Sequence, residues 1–239
     1  MIDDIKEQLI LGLPIETKLG KCKPLKVRDY PSTNSDLQYI SLTKNHIINK
    51  FSEAYKDGSQ DSFINELYNY SLLEIVCSVP EIFQSYLRIF DRMFEEHAFQ
   101  QITEDNFSFY RELILTMNCI KEEEINPNPE IQRAIERSKR VKAQESGNID
   151  LGDIVSSVVA GSGITYDMIL DFTVYQLYMT FHRIGQYQNY NTSTLFATVA
   201  GDKVKIDSWN KHIDLFANEK HAISQSDFKK NFGNTFSNS

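Results

Sequence analysis

The helical character of the chain is clearest in one stretch, PEIFQSYLRIFDRMF, which spans residues 80–94. Its apolar residues recur at steps of one, three and four, which is typical of one face of an α-helix. They are Ile82, Phe83, Tyr86, Phe90 and Phe94. Pro80 separates this stripe from the previous one, because a proline disfavours the α conformation in the residue before it. The stretch therefore predicts an amphipathic helix with an aromatic face.

Three more apolar stripes with the helical period flank this one. The first runs over 37–51 and the second over 63–76, and the last begins at the cap-like run 103–106. The last stripe contains Phe109, Leu113 and Met117. Together the four stripes predict a compact helical bundle over residues 35–125 with an aromatic-rich core.

The N-terminal segment, residues 1–34, has a different pattern. A short helix is expected over 5–11, and alternating apolar residues around Gly20 predict a small β-hairpin between 14 and 27. The polar positions of this hairpin are mostly lysines, namely Lys18, Lys21, Lys23 and Lys26. A solvated hairpin that lysines protect from edge pairing is the favoured interpretation, and an anion site is the alternative.

The run Asn126-Pro127-Asn128-Pro129, directly after the acidic run 122–124, predicts a domain boundary. The helix predicted from 129 to 145 is charged nearly all round and has only a narrow apolar stripe. Such a helix either projects into solvent as a connector or buries its stripe against a partner. The candidate partner-binding residues of this helix are Ile131, Ile135, Arg137, Arg140 and Val141.

The remainder of 126–216 predicts a second helical subdomain. A small helix is expected from 150 to 159, followed by a flexible joint at Gly161-Ser162-Gly163. The next helix, from Thr165 to about Tyr187, is the most apolar in the chain. We expect it to be buried on two sides at the centre of a second core.

The polar tail, residues 217–239, contains Phe228, Phe232 and Phe236 at a spacing of four residues. In a helix this spacing would bring the three rings onto one face. We expect the tail to become ordered by laying these rings into an apolar groove, on its own domain or on a partner. A disordered tail is the alternative.

Composition excludes several classes of protein. The net charge is −8, which argues against a general nucleic-acid binder, although the basic side of the 129–145 helix leaves that option open. Apolar runs are far shorter than the roughly 20 residues of a membrane span, and the chain begins with the acidic run Met1-Ile2-Asp3-Asp4. A soluble intracellular protein, without a membrane as partner, is therefore expected.

Residues suited to catalysis or metal binding do not form a recognisable motif. The five histidines lack the spacing of a helical metal site, and Cys22, Cys77 and Cys119 fit neither a disulfide framework nor a zinc site. Buried free thiols are the expected state of the cysteines. We therefore expect no catalytic residue, metal or cofactor, and a protein that is not an enzyme.

The central and C-terminal residues resemble tail assembly chaperones and related baseplate-assembly proteins of tailed bacteriophages. The resemblance covers roughly residues 102–216. It rests on the runs 102–105, 111–113 and 126–129, and above all on ITYDMILDFTVYQLY at 164–178 with the later FHRI at 181–184 and Ser208-Trp209. The segment 24–30 is similar to the same proteins, more faintly.

This resemblance implies a largely helical, non-enzymatic protein that binds the tape measure protein or baseplate subunits while a tail is built. It would act in the host cytoplasm. A structural baseplate component retained in the virion is the alternative, and an enzyme or nucleotide-binding helical domain with an unrecognised site is more remote. A homo-oligomer is a further option for its partners.

Overall fold

The computed structural model describes residues 2–55, 61–122, 132–135, 137–138, 140–141, 149–200 and 206–216. The first part contains α1 (Ile2–Leu11), β1 (Ile15–Thr17), β2 (Gly20–Cys22), α2 (Tyr30–Ser41), α3 (Lys44–Ala54), α4 (Asp61–Leu67), α5 (Leu72–Ser78), α6 (Pro80–Met93) and α7 (Glu104–Met117). The C-terminal region contains α8 (Leu151–Ser162), α9 (Tyr166–Ile169) and α10 (Val174–Ala200). The predicted class is confirmed: the protein is mainly α, with a small N-terminal hairpin and a separate C-terminal helical region.

The hairpin is a two-stranded antiparallel sheet in which Thr17 pairs with Gly20 at the turn. Gly20 has a φ of +90°, a conformation that glycine adopts without the steric cost of a Cβ. Ile15, Leu19 and Cys22 are buried beneath the hairpin, whereas its four lysines are exposed to solvent, as predicted. The hairpin therefore packs one face on the bundle.

The core of the bundle is built around α6, whose aromatic face packs against α7 and the 3₁₀ turn Ala98–Gln101. The ring centroids of Phe90 and Phe99 are 5.0 Å apart, with the rings edge-on. Those of Tyr86 and Phe107 are 5.6 Å apart. These geometries are favourable for aromatic pairs and add to the stabilisation from burial alone. The predicted aromatic-rich core is therefore confirmed.

Two of the predicted stripes, 37–51 and 63–76, each extend over two helices with a break between them. The first breaks between Ser41 and Lys44, where the Thr43 hydroxyl accepts a hydrogen bond from the His46 amide. The second breaks at 68–71, where Ser71 and Glu74 form reciprocal hydrogen bonds of 2.6 and 3.0 Å between side chain and backbone. Each break places a side-chain cap at the start of a new helix, because the first amides of a helix have no partner within it.

The predicted helix from Thr165 to about Tyr187 begins where expected, but it is interrupted at 170–173 and ends later than predicted. The chain forms the short helix α9, leaves the helical conformation at 170–173 and then forms α10, which extends to Ala200. Thr165 caps α9 as expected, and Thr173 and Gln176 cap α10 reciprocally. Burial on two sides holds only around Val174, Tyr175 and Leu177, whereas Met168 and Leu170 are exposed. The interruption arises because the backbone at 170–173 bonds to another segment.

That segment is residues 25–28, here called the N-terminal strap. Its backbone exchanges three hydrogen bonds of 2.9 to 3.3 Å with residues 170–174. The Asp171 carboxylate accepts hydrogen bonds from Arg28 at 2.5 Å and from Lys26 at 3.1 Å, and these interactions lower its pKa. Val27 is buried in a second apolar cluster together with Ile154, Val158, Ile169 and Leu177. The strap therefore connects the C-terminal region to the bundle.

The joint predicted at 161–163 is mostly helical. Helix α8 runs to Ser162, and only Gly163, with a φ of +74°, leaves the helix as its C-cap. Gly161 lies inside the helix, where a Cβ would come within 2.7 Å of Ile184 Cγ2. A glycine at this position permits the close approach of α8 and α10.

Candidate interaction surface

The sequence-predicted surface is only partly among the described residues. Ile135, Arg137, Arg140 and Val141 are exposed helical residues, with exposed fractions of 39% for Ile135 and 46% for Val141. Ile131 lies outside the described residues, as do the boundary at 126–129 and the tail residues Phe228, Phe232 and Phe236.

Helical geometry places apolar and basic side chains of this segment next to each other. At about 100° per residue, Val141 lies about 40° from Arg137, whereas Ile135 and Val141 lie about 120° apart. Two exposed aliphatic side chains beside two exposed guanidinium groups suit contact with a protein whose surface is apolar and acidic.

A second exposed surface, which sequence reasoning missed, lies on the last turns of α10. Leu195, Phe196 and Val199 have exposed fractions of 69%, 61% and 87%. The sequence signal was present, because no charged residue occurs from Ile184 to Gly201. It was missed because Asn, Ser and Thr are abundant here and disfavour a helix.

The middle of α10 contacts residues 206–216. The Arg183 guanidinium donates hydrogen bonds to the carbonyls of Trp209 and Lys211 at 2.7 and 2.9 Å. The Trp209 ring packs edge-on against Tyr187. Further along, Ile213 is buried and Phe216 packs against the bundle core. This segment therefore links the middle of α10 to the bundle.

The bundle also contains a cleft of about 520 Å³ between α5, α7 and Phe216. Arg111 lies in its wall and is buried, and its guanidinium donates to the carbonyls of Ile40 and Leu42 at 3.0 and 3.1 Å. It also donates to the Tyr86 hydroxyl and pairs with Glu122. Burial raises the pKa of Tyr86 to about 12, although Arg111 acts to lower it. Arg111 therefore holds helix ends together, and its donors are occupied by protein groups.

The titratable residues singled out in the sequence are dispersed. Cys22 is buried and Cys119 is half-buried, and burial raises the pKa of both thiols. Cys77 is exposed, so the expectation of three buried thiols is wrong for this residue. Desolvation and the nearby Lys121 lower the pKa of His182. Within the described ranges, three or more His, Cys, Asp or Glu side chains nowhere converge as metal ligands would.

Comparison with known proteins identifies the family of this chain. A family model described as the YomV N-terminal domain matches residues 3–127, which is more than half of the chain. The chain belongs to the YomV family. A second model, the YomV second domain, matches residues 141–214.

A full-length relative supports this membership. The SPbeta prophage-derived uncharacterized protein YomV of Bacillus subtilis (strain 168) is 39% identical over 230 residues, which cover 95% of this chain and 97% of that protein. No solved structure matches the chain. The two YomV models leave residues 128–140 unmatched, and Ile135, Arg137 and Arg140 lie in this interval. None of the helices in the described residues is long and apolar enough to cross a membrane.

Proposed function

We propose that this YomV-family protein is a non-enzymatic phage tail or baseplate assembly protein that acts through protein–protein contacts. The observation that supports this most is the exposed helical segment with Ile135, Arg137, Arg140 and Val141. The prophage origin of its relative and the resemblance to tail assembly proteins agree with a role in particle formation.

A partner would gain binding free energy by covering this segment. Burial of Ile135 and Val141 removes apolar area from water, which contributes about 25 cal/mol per Å². Arginines are enriched among the residues that dominate binding energies, because a guanidinium offers several donors and a flat apolar face. The expected partners are tail proteins, such as the tape measure protein or baseplate subunits. Ile131 and the tail residues Phe228, Phe232 and Phe236 would extend the same contact.

The test is complementation in a bacterium that carries the phage encoding this chain, after deletion of its gene. We expect the deletion to give particles with filled heads and absent or defective tails in electron micrographs. If the intact chain restores tailed particles but Arg137→Glu/Arg140→Glu does not, the result would support a role of this surface in tail assembly. Tailed, infectious particles made without the gene would contradict the proposed role.

A matched control separates a specific contact from a change in charge. Lys23→Glu/Lys50→Glu alters the net charge by the same amount at two exposed positions, one directly after β2 and one in α3. It should complement as well as the intact chain, since exposed charges contribute little to stability. Equal failure of both double variants would show that the arginines have no special role.

The same experiment distinguishes an assembly factor from a structural component. Purified, finished particles are analysed for the protein by mass spectrometry against known tail subunits. Its absence from particles that required it for assembly is expected of a chaperone. A fixed number of copies per particle would establish the alternative, a baseplate component retained in the virion.

A further inference from the structure

The cleft between α5 and α7 combines an apolar lining with an excess of carboxylates. Its apolar residues are Leu72, Leu73, Phe107, Leu115, Ile120 and Phe216. Its charged residues are three acids, Glu104, Glu112 and Glu122, and two bases, Arg111 and Lys121. Arg111 is engaged by Glu122 and by helix-end carbonyls, whereas Glu104 and Glu112 are exposed on α7. The cleft therefore suits a ligand that carries apolar groups together with positive charge.

Two segments outside the described residues continue directly from this cleft. One of them, 123–131, follows Glu122, and the other, 217–239, follows Phe216. Residues 123–131 contain three Glu and no Lys, Arg or His. Repulsion between like charges disfavours their binding beside the carboxylates of the cleft. The C-terminal segment is therefore the better candidate for its occupant.

The composition of the C-terminal segment complements the cleft. Residues 228–236 contain Lys229 and Lys230 but no Asp or Glu, and three phenylalanines recur there at every fourth position. The rings suit the apolar lining, and the lysines suit the carboxylates of α7. No other segment outside the described residues contains Phe, Tyr or Trp. Aromatic rings and positive charge together thus distinguish 228–236 from the rest of the undescribed chain.

The size of the cleft and the reach of the chain agree with this occupant. A cavity of about 150 Å³ accommodates one benzene ring, so the cleft of about 520 Å³ has room for about three rings. Phe228 follows Phe216 by twelve positions, and an extended chain of that length spans up to about 40 Å. The rings can therefore reach a cleft whose wall includes Phe216.

We propose that residues 228–236 occupy this cleft in their own chain, with the phenylalanine rings against its apolar lining and the two lysines beside Glu104 and Glu112. The tether 217–227 gives the rings an effective concentration in the millimolar range, so even a weak contact keeps the cleft occupied.

This contact also regulates the surface to which the proposed function assigns the same rings. In the free chain the rings are held by the cleft, and a tail protein must displace them before they extend its contact. This step rests on the proposed function, whereas the occupation of the cleft does not.

Competition with a synthetic peptide measures the occupation of the cleft. The probe is a fluorescein-labelled peptide of residues 226–239, and its binding to full-length protein is followed by fluorescence anisotropy. We expect Phe228→Ala/Phe232→Ala/Phe236→Ala, which frees the cleft, to bind the peptide at least about tenfold more tightly than the intact chain does. Equal affinity of the two proteins for the peptide, or no binding by either, overturns the proposal.

A matched pair of charge variants tests the role of the cleft carboxylates. In the triple alanine background, Glu112→Lys should weaken peptide binding about two- to fivefold, as expected for an exposed ion pair. Glu66→Lys makes the same change of charge at an exposed position of α4 outside the cleft and should leave binding unchanged. Equal loss of affinity in both variants contradicts the proposed site. Circular dichroism of each variant confirms that it is folded.

Photo-cross-linking of the full-length chain locates the rings directly. Phe232 is replaced by p-benzoylphenylalanine, which keeps an aromatic ring there, and the cross-linked peptides are identified by mass spectrometry. We expect cross-links within one chain to Leu72, Leu73 or residues 107–120. The same probe at the exposed Tyr166 is the control and should not label these peptides.

Cross-links from position 232 only to other surfaces, or only between two copies, would overturn the proposal, as would their absence. The purified chain suffices for this experiment, so its outcome is independent of phage complementation. A protein whose rings lie in the cleft but whose gene is dispensable for tails would refute the proposed function alone.

Discussion

The packing of α8 on α10 predicts that alanine substitutions at two helical glycines, Gly161 and Gly185, have different effects on stability. Replacing a glycine inside a helix by alanine stabilises that helix by about 1 kcal/mol, because alanine loses less backbone entropy. At Gly185 the added methyl meets no atom within 4 Å, so we expect Gly185→Ala to raise the free energy of unfolding by about that amount. At Gly161 the methyl would lie 2.7 Å from Ile184 Cγ2 and 3.0 Å from its Cδ1.

Ile184 cannot turn away easily, since a β-branched side chain in a helix has one strongly preferred rotamer. Overpacking of this kind costs about 1–3 kcal/mol, which cancels or exceeds the gain in helix propensity. Gly161→Ala should therefore be less stable than Gly185→Ala by about 1–3 kcal/mol in urea unfolding followed by circular dichroism.

A double variant shows whether Ile184 is the cause of this difference. In an Ile184→Ala background the colliding methyl groups are gone, so Gly161→Ala should no longer be destabilising. The coupling between the two substitutions should approach the overpacking cost itself. If Gly161→Ala stabilises the chain as much as Gly185→Ala does, the close approach of α8 and α10 does not exist.

Three further variants test the core and its polar contacts by thermal and urea unfolding. Leu177→Ala should lower the free energy of unfolding by about 2–5 kcal/mol, because Leu177 is fully buried in the second cluster; a loss below about 1 kcal/mol would contradict that burial. Arg111→Met should cost about 2–3 kcal/mol by leaving helix-end carbonyls without a donor, and an unchanged melting temperature would refute this role. The hydrogen bond from Arg88 lowers the pKa of Asp36, so this pair stabilises the fold above the ordinary carboxyl pKa and is lost as pH falls through the lowered value. Asp36→Asn should thus reduce the melting temperature at neutral pH and by progressively less below about pH 4, and a pH-independent difference would exclude the linkage.

Local patterns in the sequence were sufficient for much of the fold. The helices at 80–93 and 104–117 were predicted because their apolar period coincides with a proline or a cap at the start. The breaks at Thr43 and Ser71 were missed because apolar residues continue at helical spacing across them. In both places a single hydroxyl decides where the helix begins, and periodicity alone does not register it.

The errors in the C-terminal region have a non-local cause. Leu170 and Phe172 fit a helical stripe, yet the helix ends there, where the backbone forms hydrogen bonds with the strap, more than 140 positions earlier in the chain. For the candidate interaction surface at 135–141, the sequence predicted a charged helix with a narrow apolar stripe. The exposed end of α10 was not predicted, because the predicted helix ended at about Tyr187 and the Asn, Ser and Thr residues that follow are poor helix formers.

The N-terminal strap has a consequence for how the protein can be divided and made. The segment matched by the second YomV model, 141–214, does not include Val27, although Val27 forms one wall of the cluster around Leu177. A fragment cut at the boundary in the sequence would expose that wall to water and lose the hydrogen bonds to 170–174. During synthesis, the ribosome adds Leu177 long after residues 25–28 have emerged, so the strap must wait for most of the chain before it gains its contacts. The C-terminal region therefore needs residues near the N-terminus to complete its apolar cluster. The folding unit accordingly spans both segments that the YomV models match.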